Sequence, residues 1–219
     1  FDLEVQGKAT IDTPHVYHCG DIMYDNSLYF AALSKEKSLL LRQLELTPEQ
    51  YILCTIHRDS NTDDPIALQG IFEALLTLID QTGLSVVLPI HPRTKNKIET
   101  LLSVAFQERI AAQDKLQITA PAGFLDMIAL EQNARLIVTD SGGVQKEAYF
   151  FAKPCVILRE QTEWVEVVEA GAAILTGANQ EKILDAATEL LSRTIQTRSD
   201  IFGDGYAATF ICQKILTTL

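Results

Sequence analysis

Short apolar runs alternate with longer amphipathic runs along most of this chain. Continuous apolar runs predict strands at residues 51–56, 84–90, 116–118, 135–139, 155–158 and 172–175. Apolar residues recurring every three or four positions predict helices at residues 21–44, 68–79, 95–105, 124–132, 142–151, 180–192 and 205–216. Asn179 is the expected N-cap of the helix at 180–192, and the polar residues 194–202 are expected to form a loop.

This alternation predicts an α/β fold, a Rossmann-like parallel sheet with helices on both faces, because strands apolar on both sides must be covered on both sides. Residues 1–20 do not follow the rhythm. We therefore expect a connector remnant over residues 1–20 and one domain over residues 21–219. The chain begins without Met, so we also expect that it is part of a longer protein.

Composition excludes several classes of protein. The chain carries 18 Lys and Arg against 29 Asp and Glu, and this net charge of −11 argues against nucleic acid and anionic membranes as partners. No apolar run approaches the length of a membrane span. The four cysteines are scattered without zinc spacing, which predicts no metal site and a reducing, cytoplasmic compartment. Cys54 and Cys155 lie in predicted strands and are expected to be buried.

The most informative segment runs from Asp140 through Ser141, Gly142 and Gly143 to Glu147. It joins a predicted strand to a predicted helix. Backbone N–H groups at such a helix start are unpaired, and the helix dipole favours negative charge there. Glycines let a ligand approach the backbone closely. The turn therefore predicts an anion site, most often one for phosphate.

Three other predicted strands also end in polar residues that suit a phosphorylated ligand. Because parallel strands present their carboxyl ends at one edge of the sheet, these groups are expected to meet the Ser-Gly-Gly turn. The residues in question are His57, Arg58 and Asn61 after the first strand, His91 after the second, and Arg159, Thr162 and Glu163 after the fifth.

Structural explanations exist for most of these residues singly. His57 and His91 could be satisfied histidines at strand ends, and Ser141 could be an N-cap alone. Arg58 could pair with a surface acid. Glu147 could lie on a solvated helix face. Asp140 could cap the turn through nearby N–H groups, while Phe124 and Trp164 could be core or rim residues.

Several named motifs are excluded. The chain has no G-x-x-x-x-G-K-[ST] and no G-x-G-x-x-G, so neither a P-loop nor a dinucleotide fingerprint is present. A serine-hydrolase elbow needs G-x-S-x-G, but Thr139 stands two residues before Ser141 where the first glycine would be.

At these residues the chain resembles the non-hydrolysing UDP-N-acetylglucosamine 2-epimerase family. The family motif Asp-Ser-Gly-Gly-x-Gln-Glu-Glu-Ala is matched by residues 140–148, and His-Arg-x-Glu-Asn by residues 57–61. His-Pro is matched at residues 91–92, and part of Arg-x-x-Thr-Glu-Arg-Pro-Glu by residues 159–166. The family's crossover segment resembles residues 20–25. The likeness runs from about residue 18 to the C-terminus.

The resemblance implies the C-terminal, UDP-binding domain of a glycosyltransferase-B-like two-domain protein, whose N-terminal domain is absent from this chain. It implies an isomerase that inverts C2 of a UDP-sugar by eliminating UDP and adding it back, without metal or redox cofactor, in a full-length homodimer. The proton-transfer acids would lie mainly in the absent domain. The isolated chain is therefore expected to bind nucleotide weakly and to catalyse nothing.

The resemblance also implies a role for each site residue. Ser141, Gly142 and Gly143 would hold the diphosphate, Glu147 the ribose, and the segment 121–127 would lie near the uracil. His57 is the expected catalytic residue, reaching toward the diphosphate and sugar. The implied UDP-binding residues are Arg58, Asn61, His91, Phe124, Met127, Ser141, Gly142, Gly143, Glu147, Arg159, Thr162 and Glu163.

Three departures from the family pattern bear on the substrate. Ser60 and Lys146 replace glutamates, and Trp164-Val165 replaces Arg-Pro. The last departure resembles the branch that acts on UDP-2,3-diacetamido-2,3-dideoxy-glucuronic acid. A UDP-sugar-dependent glycosyltransferase of the same architecture and a nucleotide-binding sensor without chemistry are the alternatives.

Overall fold

The structure is a computed structural model that describes residue 14 and residues 16–218. Its strands form one parallel sheet and are β1 (Tyr51–Thr55), β2 (Ser85–Pro89), β3 (Leu116–Thr119), β4 (Leu136–Thr139), β5 (Cys155–Ile157) and β6 (Ala173–Leu175). Its helices are α1 (Ile22–Lys37), α2 (Leu40–Gln43), α3 (Asp59–Thr62), α4 (Pro65–Thr82), α5 (Pro92–Leu101), α6 (Val104–Ala111), α7 (Phe124–Asn133), α8 (Gly142–Phe150), α9 (Val165–Glu169), α10 (Gln180–Leu191), α11 (Ser199–Phe202) and α12 (Ala207–Thr218). The predicted α/β class is confirmed.

The strand order is β3-β2-β1-β4-β5-β6, so the chain builds one half of the sheet outward from β1 and the other half outward from β4. The direction of winding reverses between these two central strands, which makes their boundary the topological switch point. Every residue of β1 and β4 is buried, so both faces of the sheet centre are covered. The predicted burial of Cys54 and Cys155 is confirmed, since both are 0% exposed.

Local signals explain where α4 begins and ends. The Asp64 carboxylate accepts hydrogen bonds from the amides of Ile66 and Ala67, and Pro65 fills the first helical position. Gly83 ends the helix with φ of 69°, a conformation that favours glycine. The apolar face of α4 packs together with α10 over one face of the sheet.

Three predicted boundaries are wrong. The helix expected over 95–105 is two helices, because Leu102 leaves helical geometry and the Ser103 hydroxyl accepts from the Phe106 amide to start α6. The helix expected over 21–44 breaks at Ser38, whose hydroxyl accepts from the Leu40 amide. The loop expected over 194–202 contains α11.

The chain divides into two compact units. One spans residues 30–197 and holds the whole sheet; the other combines the residues up to 29 with residues 198–219. Within this second unit, the Asp25 carboxylate accepts hydrogen bonds from the Ala207 and Ala208 amides at the start of α12. The connector and domain limits proposed from the sequence stay a prediction, and residues 1–13 and 15 of that connector lie outside the described residues.

Candidate functional site

The candidate site lies at the switch point, where β1 and β4 end side by side. Thr55 pairs with Thr139 in the sheet register, and their hydroxyl oxygens are 2.5 Å apart. The loop after β1 and the turn after β4 therefore leave the sheet together. Ligands of open α/β sheets bind at this position, beyond the carboxyl ends of the strands.

Asp140 joins these two segments. It is 0% exposed, and its carboxylate accepts from the amides of His57 and Arg58, each at 3.0 Å, and from Nδ2 of Asn61 at 3.1 Å. Its carbonyl oxygen accepts from Nε of Arg58 at 3.0 Å. The alternative that Asp140 caps its own turn does not apply, because the N–H groups that its carboxylate binds belong to the neighbouring loop. Its carboxylate thereby fixes the β1 loop against the Ser-Gly-Gly turn.

The three site residues predicted after β1 differ in their surroundings. The His57 ring is 52% exposed, with Nε2 3.7 Å from Oδ1 of Asp140, so it lies at the rim of the site. Asn61 is 4% exposed, and its Nδ2 also donates to the Leu158 carbonyl at 3.0 Å. The Asn61 amide thus holds the ends of β1, β4 and β5 together, while its predicted contact with UDP stays a prediction.

The first turn of α8 offers two unpaired amides. The Ser141 amide donates to the Thr139 hydroxyl at 2.9 Å, and the Ser141 hydroxyl accepts from the Val144 amide at 3.5 Å, so Ser141 is an N-cap. Within the described residues, the N–H groups of Gly142 and Gly143 have no acceptor. Two free N–H groups at the positive end of a nine-residue helix are an arrangement that suits an anion, as the sequence predicts.

An arginine–glutamate pair lies above this turn. Arg159, 11% exposed at its side chain, donates from both terminal nitrogens to Glu163 at 2.6 and 2.7 Å. A Cβ built on Gly142 would stand 3.6 Å from Oε2 of Glu163 and 4.0 Å from the Arg159 guanidinium. The bond from Arg159 lowers the pKa of Glu163 to about 2, and Nη2 of Arg58 lies 3.8 Å from the same carboxylate. Two cations and one anion therefore surround the turn.

The loop that carries this pair is held against α8 by buried side chains. Gln145 is 0% exposed, and its Oε1 accepts from the Thr162 hydroxyl at 2.6 Å. That hydroxyl in turn accepts from the Trp164 amide at 3.0 Å. Thr162, predicted to bind UDP, is therefore engaged in positioning the loop. Sequence reasoning missed Gln145, although its place inside the Ser-Gly-Gly helix was a signal.

Two departures from the family motif form a single contact. The Lys146 ammonium lies 4.3 Å from the centre of the Trp164 ring, a cation–π geometry, and Lys146 is 6% exposed. Where the family motif has a glutamate and an arginine, this chain has Lys146 and Trp164. Two opposite charges are therefore replaced by one cation that lies on an aromatic ring. Trp164 also contributes to the wall of the turn, with Nε1 3.5 Å from a Cβ built on Gly142.

Glu147 is half-buried, one turn into α8, so the alternative that it lies on a solvated helix face does not apply. Burial is the main cause that raises its pKa to about 7, and the nearby Lys146 opposes the rise. Its partner is Glu131 of α7, which is 1% exposed and which sequence reasoning missed. The available signal was an acid four residues after Met127 and three after Ile128, on the apolar face of a helix.

This acid pair predicts a pH dependence of stability. Because the folded pKa of Glu147 is raised from 4.5 to about 7, the folded state binds more protons than the unfolded state between these values. The free energy of unfolding of the protein should therefore fall as pH rises through this window, by on the order of 1–3 kcal/mol. Urea unfolding at pH 5 and pH 8 measures the fall. Glu131→Gln should reduce it, and an equal fall in both proteins would contradict the pairing.

The remaining predicted residues lie on neighbouring elements. Nδ1 of His91 accepts from the Arg93 amide at 3.2 Å, so His91 caps α5, and the Arg93 guanidinium donates to Asp59 at 2.6 Å. The Arg93–Asp59 ion pair therefore connects the segment after β2 with the segment after β1. Phe124 is 56% exposed and makes an edge-to-face contact with Phe30 at 4.9 Å, whereas Met127 is half-buried. Both residues lie on α7, which packs against α8, the helix that begins at the Ser-Gly-Gly turn.

A cavity of about 350 Å³ opens next to Arg58 and Arg159. Its lining includes Arg58, Asn61, Arg159 and Gly177. A larger cavity of about 460 Å³ lies in the other compact unit, around Gly203 and other residues that the sequence did not predict as site residues. The smaller cavity is lined by predicted site residues, including both arginines beside the Ser-Gly-Gly turn, whereas the larger cavity is lined by none of them.

The described part of the chain shows neither a membrane-spanning helix nor a metal-binding cluster. None of its helices combines the length and apolarity needed to cross a bilayer. No group of three or more His, Cys, Asp or Glu side chains there has a metal-binding arrangement.

Comparison with known proteins identifies the family. The family model described as UDP-N-acetylglucosamine 2-epimerase matches residues 7–216. The chain is 42% identical over 200 residues to the UDP-2,3-diacetamido-2,3-dideoxy-D-glucuronate 2-epimerase of Pseudomonas aeruginosa, covering 91% of this chain and 52% of that protein. It is 40% identical over 201 residues to a UDP-N-acetylglucosamine 2-epimerase homolog of Methanococcus maripaludis, covering 91% and 54%.

Solved structures agree with these matches. The structure of Methanocaldococcus jannaschii UDP-GlcNAc 2-epimerase in complex with UDP-GlcNAc and UDP superposes with a TM-score of 0.80 at 32% identity, covering 93% of this chain and 55% of that one. The chain spans about half the length of the relatives it matches. By sequence and by fold, this chain belongs to the UDP-N-acetylglucosamine 2-epimerase family.

Proposed function

We propose that this chain is the nucleotide-binding half of a non-hydrolysing UDP-sugar 2-epimerase. The observation that carries the proposal is the pair of unpaired amides at Gly142 and Gly143 beneath the Arg159 guanidinium, at the switch point of the sheet. These donors are fixed before any ligand arrives. The M. jannaschii relative, which was solved with UDP-GlcNAc and UDP, supports a UDP ligand.

The proposed chemistry inverts C2 of the sugar by eliminating UDP and adding it back. The diphosphate gains negative charge as the bond to the sugar breaks, so fixed N–H donors and cations around it lower the barrier. Arg159 and the exposed ring of His57 are the side chains of this half placed to act there. The proton-transfer acids at C2 would come from the other half of the whole protein.

The P. aeruginosa relative favours a more specific substrate. This relative is 42% identical to this chain, and the substrate in its name carries a carboxylate and two acetamido groups. The Lys146–Trp164 contact differs from the Glu and Arg of the main family motif, beside the same turn. We therefore propose UDP-2,3-diacetamido-2,3-dideoxy-glucuronic acid as the first substrate to test. We also propose that the full-length protein is cytoplasmic and homodimeric. Interconversion of two UDP-sugars without an acceptor would separate this epimerase from a glycosyltransferase, which transfers the sugar to an acceptor and releases free UDP.

Site variants test the UDP assignment. Ser141→Ala and Glu147→Ala should each weaken UDP binding to this chain by about 1–3 kcal/mol, because each removes a polar contact at the half-buried site. Isothermal titration calorimetry measures the change. Unchanged affinity in both variants would contradict the assignment.

Asn179→Ala is the matched control for Ser141→Ala. Asn179 caps α10 by accepting from the Lys182 amide at 2.9 Å, and it is neither a predicted site residue nor part of the cavity lining. Its loss should cost about 1 kcal/mol of stability, as loss of the Ser141 cap should. UDP affinity should nevertheless stay at the wild-type value in Asn179→Ala.

A further inference from the structure

Glu131 is a buried acid for which the fold alone gives no reason. It lies in α7 at 1% exposure, next to the apolar residues Ala129 and Leu130. Within the described residues its Oε2 has no hydrogen-bond partner. An ionised carboxylate in such surroundings would be strongly unfavourable, so Glu131 holds its proton.

Helix α7 packs against α8, and the carboxyl group of Glu147 on α8 is within hydrogen-bonding reach of Glu131. Burial raises the pKa of Glu131 well above its usual value, and the charge and hydrogen bond of Glu147 raise it further. Burial raises the pKa values of the neighbouring Tyr51 and Cys155, and any negative charge on Glu131 would raise both further. Two carboxyl groups in contact cannot both ionise easily, so they share one proton. Glu147, which is less buried and lies beside Lys146, ionises first.

We propose that Glu131 is a positioning residue, a neutral carboxylic acid that donates its proton to the Glu147 carboxylate and fixes that carboxylate for the ribose hydroxyls of the nucleotide. The proposal rests on the proposed function, together with the role that the family resemblance implies for Glu147, which is to hold the ribose. A carboxylate held by a buried donor keeps one orientation, and its remaining lone pairs then accept from a diol. Without that donor, Glu147 could turn toward solvent or toward Lys146.

The test separates the donor from the bulk of the side chain. Glu131→Gln keeps an N–H donor at the same place, whereas Glu131→Leu keeps volume and removes the donor. Calorimetry compares the binding of UDP with that of 2′-deoxy-UDP to the 219-residue chain. The wild type should prefer UDP by about tenfold, the scale of one lost bond to a charged group. Glu131→Gln should keep this preference to within about twofold.

Glu131→Leu should lose the preference, with UDP weakened to the affinity of 2′-deoxy-UDP. The same preference for UDP in Glu131→Leu as in the wild type would overturn the positioning role and leave the proposed function intact. Failure of the wild type to bind UDP, or to prefer it over 2′-deoxy-UDP, would instead contradict the proposed function at Glu147. These two failures are therefore distinguishable.

A spectroscopic measurement covers the case in which Glu131→Leu does not fold. The infrared difference spectrum of the wild type with and without UDP should show a shifted C=O stretch of a protonated carboxyl group, which Glu131→Gln lacks. A wild-type protein that binds UDP without such a band, or a band that persists in Glu131→Gln, would contradict the proposal.

Discussion

Replacing Asp140 by alanine is expected to lower the free energy of unfolding by about 3–5 kcal/mol and to abolish UDP binding. The Asp140 carboxylate is fully buried and accepts from two main-chain amides and from the Asn61 side chain. Alanine would leave these three donors in the interior without an acceptor. The β1 loop would then lose its attachment to the Ser-Gly-Gly turn, and His57 and Arg58 would move away from the anion site.

Urea unfolding and calorimetry with UDP measure both effects. Asp64→Ala is a matched control, because the Asp64 carboxylate also accepts from two main-chain amides, but on the exposed start of α4. That variant should lose only about 1 kcal/mol and should keep wild-type UDP affinity. Equal destabilisation of the two variants would show that Asp140 does not organise the site.

Replacing Gly142 by alanine is expected to leave folding intact and to weaken UDP binding at least tenfold, or by more than about 1.4 kcal/mol. A Cβ at Gly142 would stand 3.5–4.0 Å from Trp164, Glu163 and Arg159, which is ordinary van der Waals contact. Alanine is also a better helix former than glycine by about 1 kcal/mol. The methyl group would, however, occupy the space through which a diphosphate approaches the amides.

This variant separates binding from stability. Its urea midpoint should equal or exceed that of the wild type, and its circular dichroism spectrum should be unchanged. UDP affinity in Gly142→Ala equal to that of the wild type would mean that the diphosphate does not dock on this turn. A drop in the unfolding midpoint would mean that the methyl group clashes with the protein itself.

Much of the fold follows from local signals in the sequence. Strands β1 (Tyr51–Thr55) and β4 (Leu136–Thr139) are buried on both faces because their side chains are apolar except for one threonine at the end of each. The Asn179 cap is confirmed because its short side chain reaches the Lys182 amide. The polar strand ends also meet at one edge, as expected of a parallel sheet. These features depend on neighbours in sequence.

Features that depend on distant residues could not be predicted in this way. The position of β4 beside β1 places Asp140 against the amides of His57 and Arg58, but no periodicity encodes this strand order. The contact of Lys146 with Trp164 joins residues that the sequence analysis treated as separate departures. Glu131 interrupts an apolar helix face, and its meaning depends on which helix packs against it.

The most direct test of the central claim is an NMR titration of this chain with UDP, followed at the backbone amides. We predict that the N–H protons of Gly142 and Gly143 shift downfield and become protected from exchange, because they gain the diphosphate oxygens as acceptors. Inorganic pyrophosphate should shift the same two amides. UDP that binds with these amides unperturbed, and with its largest shifts elsewhere, would contradict the account.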